Sequence, residues 1–282
     1  MFINIYGVDF SGAKLAGRNT WIARLERSPR GRRPSYRLAE LSRLEQLCGT
    51  AERRVALAHL VSLVRSSDEA LWALDFPFGL PVEVMGERAR WLDQLEFLHA
   101  WGDDDYGMGL ECLRRAKALG GPNHIRRLTD IEAKAPFDPY HYRIIYQTFY
   151  GMRDVLGPLW RKKQTAILPF QYRRLASAKR VLVEACPAST LKRMGLPHQN
   201  YKQPEGGSLT HKRRQTRRVI LDGLTEHISI SEAHWRVIMR NGGGDAFDAV
   251  IAALGAIRGW GTYDHQYISR HHRYPLEGHL YV

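Results

Sequence analysis

Apolar and polar residues alternate along this chain with two different periods, and the switches between them outline a mixed α/β architecture. Residues 2–9 are dense in Phe, Ile, Tyr and Val and finish on Gly7-Val8-Asp9, which predicts a strand leading into the turn Ser11-Gly12-Ala13. Near 19–26, Trp21, Ala23 and Leu25 share one face by period two, so a second strand follows. With Gly17 between them, the two are expected to form a hairpin, and a third short strand is expected around 35–41. Over 51–66 the period lengthens, and Leu57, Leu60, Val61 and Val64 form the stripe of an amphipathic helix. Ala70-Leu71-Trp72-Ala73-Leu74-Asp75 then reads as a short buried strand that again ends in an acid, and Pro77 and Pro81 stop regular structure.

From about 82 to 178 the pattern is mostly helices and loops, rich in aromatic and basic residues. Strand character returns at Arg180-Val181-Leu182-Val183-Glu184 and stops at Pro187. A strongly basic helix is expected over 210–228, then a helix from near Ser231 that ends at Asn241 and Gly242, then a long helix over about 245–258. The tail Gly278-His279-Leu280-Tyr281-Val282 has the character of a final edge strand. This order predicts one domain over 1–282: a mixed central sheet flanked by helices, with a large, mostly helical insertion at 82–178. The strand ending at Asp75 and the strand at 181 require a crossover, as parallel pairing demands.

Two acids stand out against that pattern. Asp9 and Asp75 each close an apolar strand, where a carboxylate has little structural reason to be. Capping the turn before Ser11-Gly12 would account for Asp9, and an Asx turn before Phe76-Pro77 would account for Asp75. In Gly242-Gly243-Gly244-Asp245-Ala246-Phe247-Asp248, the acids Asp245 and Asp248 are three apart and so share a flank of the last helix. Asp245 is also a candidate N-cap, and Asp248 a first-turn acid favoured by the helix dipole, so Asp248 weighs more as a ligand. Glu184 closes a third strand and could bind metal, orient water or hold an arginine. Isolated acids delivered by the ends of rigid elements suit hard divalent cations, Mg or Mn, and two-ion phosphodiester hydrolysis in particular.

Charge adds a partner to this chemistry. The chain of 282 residues has a formal net charge of +13, and its 42 basic residues comprise 33 Arg and 9 Lys. Arginine's planar fork suits phosphate, so a nucleic acid (DNA or RNA) is the expected partner. Lys212, Arg213, Arg214, Arg217 and Arg218 pack five bases into two helical turns, either as a solvated face or as a phosphate-contacting surface. Tyr140, Tyr142, Tyr146, Phe149, Tyr150, Trp160 and Phe170 can stack on single-stranded bases, although core packing is the commoner use of such residues. Asp103-Asp104-Asp105 reads as an exposed acidic loop. No apolar run reaches the roughly 20 residues of a membrane span, and three widely spaced cysteines fit a reducing, cytoplasmic setting.

The set Gly7-Val8-Asp9-Phe10-Ser11-Gly12-Ala13, Leu74-Asp75-Phe76-Pro77-Phe78-Gly79-Leu80-Pro81, Glu184-Ala185-Cys186-Pro187-Ala188-Ser189-Thr190, Asp245-Ala246-Phe247-Asp248-Ala249 and Glu277-Gly278 resembles the DUF429 proteins, a predicted ribonuclease H-like nuclease family. The resemblance implies a ribonuclease H-like fold whose first strand, fourth strand and C-terminal helix supply the acids. Carried over residue by residue, it points to Asp9, Asp75 and Asp248, with Asp245 next. The Asp-x-x-Asp helix start is also similar to RuvC-type resolvases. The chain departs from ribonuclease H proper in lacking a glutamate on the body of its first helix, so the site would be RuvC-like or recruit Glu184. The expected activity is a metal-dependent nuclease, and the alternative is a non-catalytic nucleic-acid-binding or adaptor module.

Overall fold

A computed structural model describes residues 2–29, 35–86, 88–203 and 207–282. Seven strands form one sheet in the order β5-β6-β4-β1-β2-β3-β7. They are β1 (Asn4–Asp9), β2 (Trp21–Arg27), β3 (Tyr36–Arg43), β4 (Ala70–Leu74), β5 (Thr165–Ile167), β6 (Arg180–Glu184) and β7 (Ile228–Ser229). β2 alone runs against the others, pairing antiparallel with β1 and β3, while β4, β5, β6 and β7 pair in parallel. The expected hairpin, third strand and β4–β6 parallel pair are all present.

The segment at 82–178 is mostly helical, and its Thr165–Ile167 joins the edge of the sheet as β5. Three residues ahead of Pro169 are too short a run for period two to reveal. One expectation is corrected: the tail does not form a strand. Leu280 makes one isolated parallel bridge with Glu184, and the Tyr281 amide donates to the Glu184 carbonyl at 2.8 Å.

The sheet is buried on both faces, and period-two alternation decides which side chains go where. Val8, Phe10, Trp72, Leu74 and Leu182 enter one core, covered by helix α1 (Arg53–Ser66) and the helices of the central region, among them α2 (Trp91–Ala100) and α3 (Asp105–Ala118). Ile5, Leu71, Ala73, Val181 and Val183 enter the other. That second face is covered by α4 (Pro187–Arg193), α5 (His211–Thr225), α6 (Glu232–Arg240) and α7 (Asp245–Thr262). Helix α1 begins as the amphipathic stripe requires, with the Glu52 carboxylate accepting from the amides of Arg54 and Val55 at 2.8 and 2.9 Å. Among the described residues no helix is long and apolar enough to cross a membrane.

The contact that positions the site lies between β1 and α7. A Cβ built on Gly7 would stand 1.9 Å from the Ala249 carbonyl oxygen and 2.5 Å from the Ala253 amide nitrogen. Only a residue without a side chain lets the helix backbone rest on the strand backbone, and Ala249, Ala252 and Ala253 complete that close face.

Candidate metal centre

Asp9 and Asp75 arrive at the site by alternation. Gly7 and Ala73 face α7, so Asp9 and Asp75, two residues further along parallel neighbouring strands, face the same way. Each is followed by a phenylalanine aimed at the opposite core. The Phe10 and Phe76 rings lie 4.6 Å apart and pin the two strand ends together. Asp248 comes down from the first turn of α7, immediately before Ala249, whose carbonyl makes the backbone contact with Gly7. The three carboxylates offer oxygens that all lie within 4.8 Å of one another.

The capping roles open to Asp9 and Asp245 are filled by other groups. The turn after Asp9 is capped by Ser11, whose hydroxyl accepts from the Ala13 amide, and by Thr20, whose hydroxyl accepts from the Ser11 amide. Asp245 is not the N-cap of α7. Gly244, at φ +90°, holds that position, and the Asn241 side chain accepts from the Ala246 amide at 3.1 Å. Asp245 sits beside the cluster, outside the converging three.

Electrostatics follow from crowding. Burial, then Asp248, with Asp245 and Asp75 adding to it, pushes the Asp9 carboxyl well above its ordinary range, and Lys202 opposes them. Burial and Asp248 likewise raise Asp75 to about 8, again with Lys202 pulling the other way. Burial raises Asp245, with Lys202 opposing and Asp248 adding to it. Like charges held this close favour uptake of a proton or a cation. Asp248 itself has two partners that sequence reasoning missed: the Tyr201 hydroxyl donates to one oxygen at 2.8 Å, and the Lys202 ammonium pairs with the other. Both lie in a polar loop, His198-Gln199-Asn200-Tyr201-Lys202-Gln203, where no periodicity or motif distinguishes them.

Glu184 is not brought to the cluster. It pairs in register with Leu74 and so points to the opposite face. There it accepts from Arg127 at 2.8 Å and from the Phe78 amide at 3.0 Å. Arg127, 1% exposed, also holds Asp130 at 2.7 Å, which makes Glu184 part of a sealed ion-pair network. Its charge still reaches Asp75 through the sheet.

The basic helix divides as well. Lys212, Arg214 and Arg218 are exposed, and Arg213 is half-buried against Gln203. Arg217 is fully buried, which removes it from any phosphate-binding surface. Its guanidinium donates to the carbonyls of Tyr201, Ile238, Asn241 and Gly242 at 2.6–2.8 Å, tying the Lys202 loop to the turn that starts α7. Of the aromatic set, Tyr140, Phe149 and Tyr150 are core, whereas Tyr142 and Tyr146 are 63% and 42% exposed. In the Asp103-Asp104-Asp105 run, Asp103 pairs with Arg153 and Asp104 caps α3.

A small open cleft, with room of about 80 Å³, lies on the other side of Asp75, between Phe76, Pro77, Phe137 and Cys186 and bordered by the Arg127–Asp130–Glu184 network. No family model, curated protein or solved structure matches the chain.

Proposed function

We propose that the chain is a ribonuclease H-like, divalent-metal-dependent nuclease of the DUF429 type. The observation that carries this reading is the convergence of Asp9, Asp75 and Asp248, from the first strand, the fourth strand and the C-terminal helix, onto oxygens within 4.8 Å of one another. That is the distribution of acids the sequence resemblance implies. The donor set fits the cation: three carboxylates are hard oxygen ligands of the kind magnesium and manganese take, and their mutual repulsion is relieved by a dication. Asp9 and Asp75 would hold the metal, with Asp248 completing the set and Asp245 contributing negative field beside it. Bound metal would supply Lewis acidity for activating water and neutralising a leaving oxygen.

The chain's own residues would do the rest. Gly7 fixes the height of α7 above β1, and Arg217 fixes the loop that carries Tyr201 and Lys202. The exposed Lys212, Arg214 and Arg218 and the net charge of +13 favour a polyanionic substrate, a structured, branched or single-stranded nucleic acid. Incubation of the purified protein with a panel of DNA and RNA forms in Mg or Mn tests the activity. Cleavage that is abolished in Asp9→Asn and by chelator is expected, and equal cleavage by that variant would assign the activity to a contaminant.

A non-catalytic nucleic-acid-binding module is the second reading, and the Lys202 ammonium on Asp248 is what favours it. It predicts salt-sensitive binding with no turnover in any metal.

A further inference from the structure

Lys202 is held in the acidic centre by more than its charge. Its backbone is anchored on the preceding residue, since the Tyr201 carbonyl accepts from Arg217 Nε at 2.6 Å and the Tyr201 hydroxyl donates to Asp248 at 2.8 Å. The Tyr201 ring meets Phe247 edge to face, with centroids 6.1 Å apart. From there the lysine stem crosses the start of α7 at Gly244, where a Cβ would stand 2.9 Å from Lys202 Cγ. Gly244 thus serves two purposes: it adopts φ +90°, and it leaves room for the half-exposed stem to lie against the start of α7. The ammonium ends on Asp248 Oδ2, so both oxygens of that carboxylate are engaged by donors from consecutive residues.

We infer that the Lys202 ammonium is a tethered counter-ion that occupies one of the two cation positions of the centre, so that the chain takes up a single divalent ion, on Asp9 and Asp75. This rests on the metal-dependent reading above and replaces the two-ion arrangement expected from the sequence. A second dication against Asp248 would have to displace an ammonium whose backbone is pinned by a buried arginine, or share the carboxylate with it at repulsive range. Lysine is suited to the task, being a compact point charge on a flexible stem that can also face a phosphate oxygen. The tether makes this positive charge independent of the free metal concentration.

Manganese titration of the full chain, followed by calorimetry and by the paramagnetic resonance signal of free Mn, tests this without any activity measurement. One ion per chain is expected for the native protein and for Lys202→Arg, and two for Lys202→Met, which keeps the stem and removes the charge. Two ions on the native protein would overturn the inference and leave the metal reading standing. One ion on a folded Lys202→Met variant would also overturn it. No binding by the native protein, with Asp9→Asn indistinguishable from it, would overturn the metal reading and this inference together. Were Lys202→Met to melt before the titration, the native and Lys202→Arg stoichiometries alone decide the matter.

Discussion

Two groups of carboxylates stand at the same ends of the central strands, on opposite faces of the sheet, and have opposite characters. On one face Glu184 and Asp130 surround Arg127, and nearby Glu277 is held by Arg273 and by the Leu128 amide at 2.8 Å. On the other, Asp9, Asp75, Asp245 and Asp248 share one ammonium, and what raises Asp9 and Asp75 most is burial and then Asp248. The first group is sealed and supplied with donors from within the fold. The second has excess negative charge, and Asp9 and Asp75 keep partial contact with solvent. Acids at strand ends therefore divide by whether the fold provides their counter-charge. Those that lack it are the ones that can receive a cation from outside.

The contrast can be broken most severely at the shared scaffold. Gly7→Ala forces a side chain into the backbone of α7, and a loss of about 3 kcal/mol or more is expected, with Mn affinity lost in any folded remainder. Urea unfolding and calorimetry would measure both. Arg127→Met removes the guanidinium that Asp130 and Glu184 share, and a cost of about 3–5 kcal/mol is expected from the uncompensated buried charge. Manganese binding should survive that change wherever the chain stays folded, because the two groups face opposite ways.

On the open face the sign reverses. Burial and Asp248 raise Asp75 to about 8, so the metal-free fold binds a proton that the unfolded chain has already released. The stability this contributes is complete below about pH 4 and is lost as pH rises through 8. The melting temperature of chelator-treated protein should fall over that window, and the increment added by Mn should grow over it. Asp75→Asn should flatten the pH dependence and stabilise the metal-free chain by about 1–2 kcal/mol at high pH while abolishing Mn binding. A destabilised Asp75→Asn with an unchanged pH profile would contradict the repulsion argument. The smallest effect is expected on α5. Replacing Lys212, Arg214 and Arg218 by Gln should leave stability within about 0.5 kcal/mol and weaken nucleic-acid binding in a salt-dependent way. Arg217→Gln, by contrast, should melt early.

Much of this architecture was readable from the chain because it rests on periodicity. β1, β4 and β6 end where their apolar runs end, and α1, α5, α6 and α7 lie where their stripes or caps place them. Asp9 and Asp75 could be singled out because an acid after an apolar run is conspicuous, and Asp248 because it stands three residues after Asp245 at the start of a helix. The exclusion of Glu184 was not readable, since it depends on register: only the pairing of Leu74 with Glu184 reveals that its side chain leaves the face of Asp75. Arg217 was misplaced for a related reason. A run of bases looks uniform in sequence, yet the residues at 217, 220, 221 and 224 form one helical stripe and the arginine is its buried polar member. Tyr201 and Lys202 act across 47 and 46 residues of chain from a loop without a pattern, and only tertiary contact reveals them.

The backbone contact at Gly7 has a kinetic consequence. Amides of β1 and of the Ala249–Ala253 stretch lie where strand and helix touch without intervening side chains, so they should exchange with deuterium only when the whole domain opens. Asp9 rides on one of those slow segments, and the Asp75 amide donates to the Val8 carbonyl beside it at 3.0 Å. An arriving cation would therefore find both of its ligands already at rest.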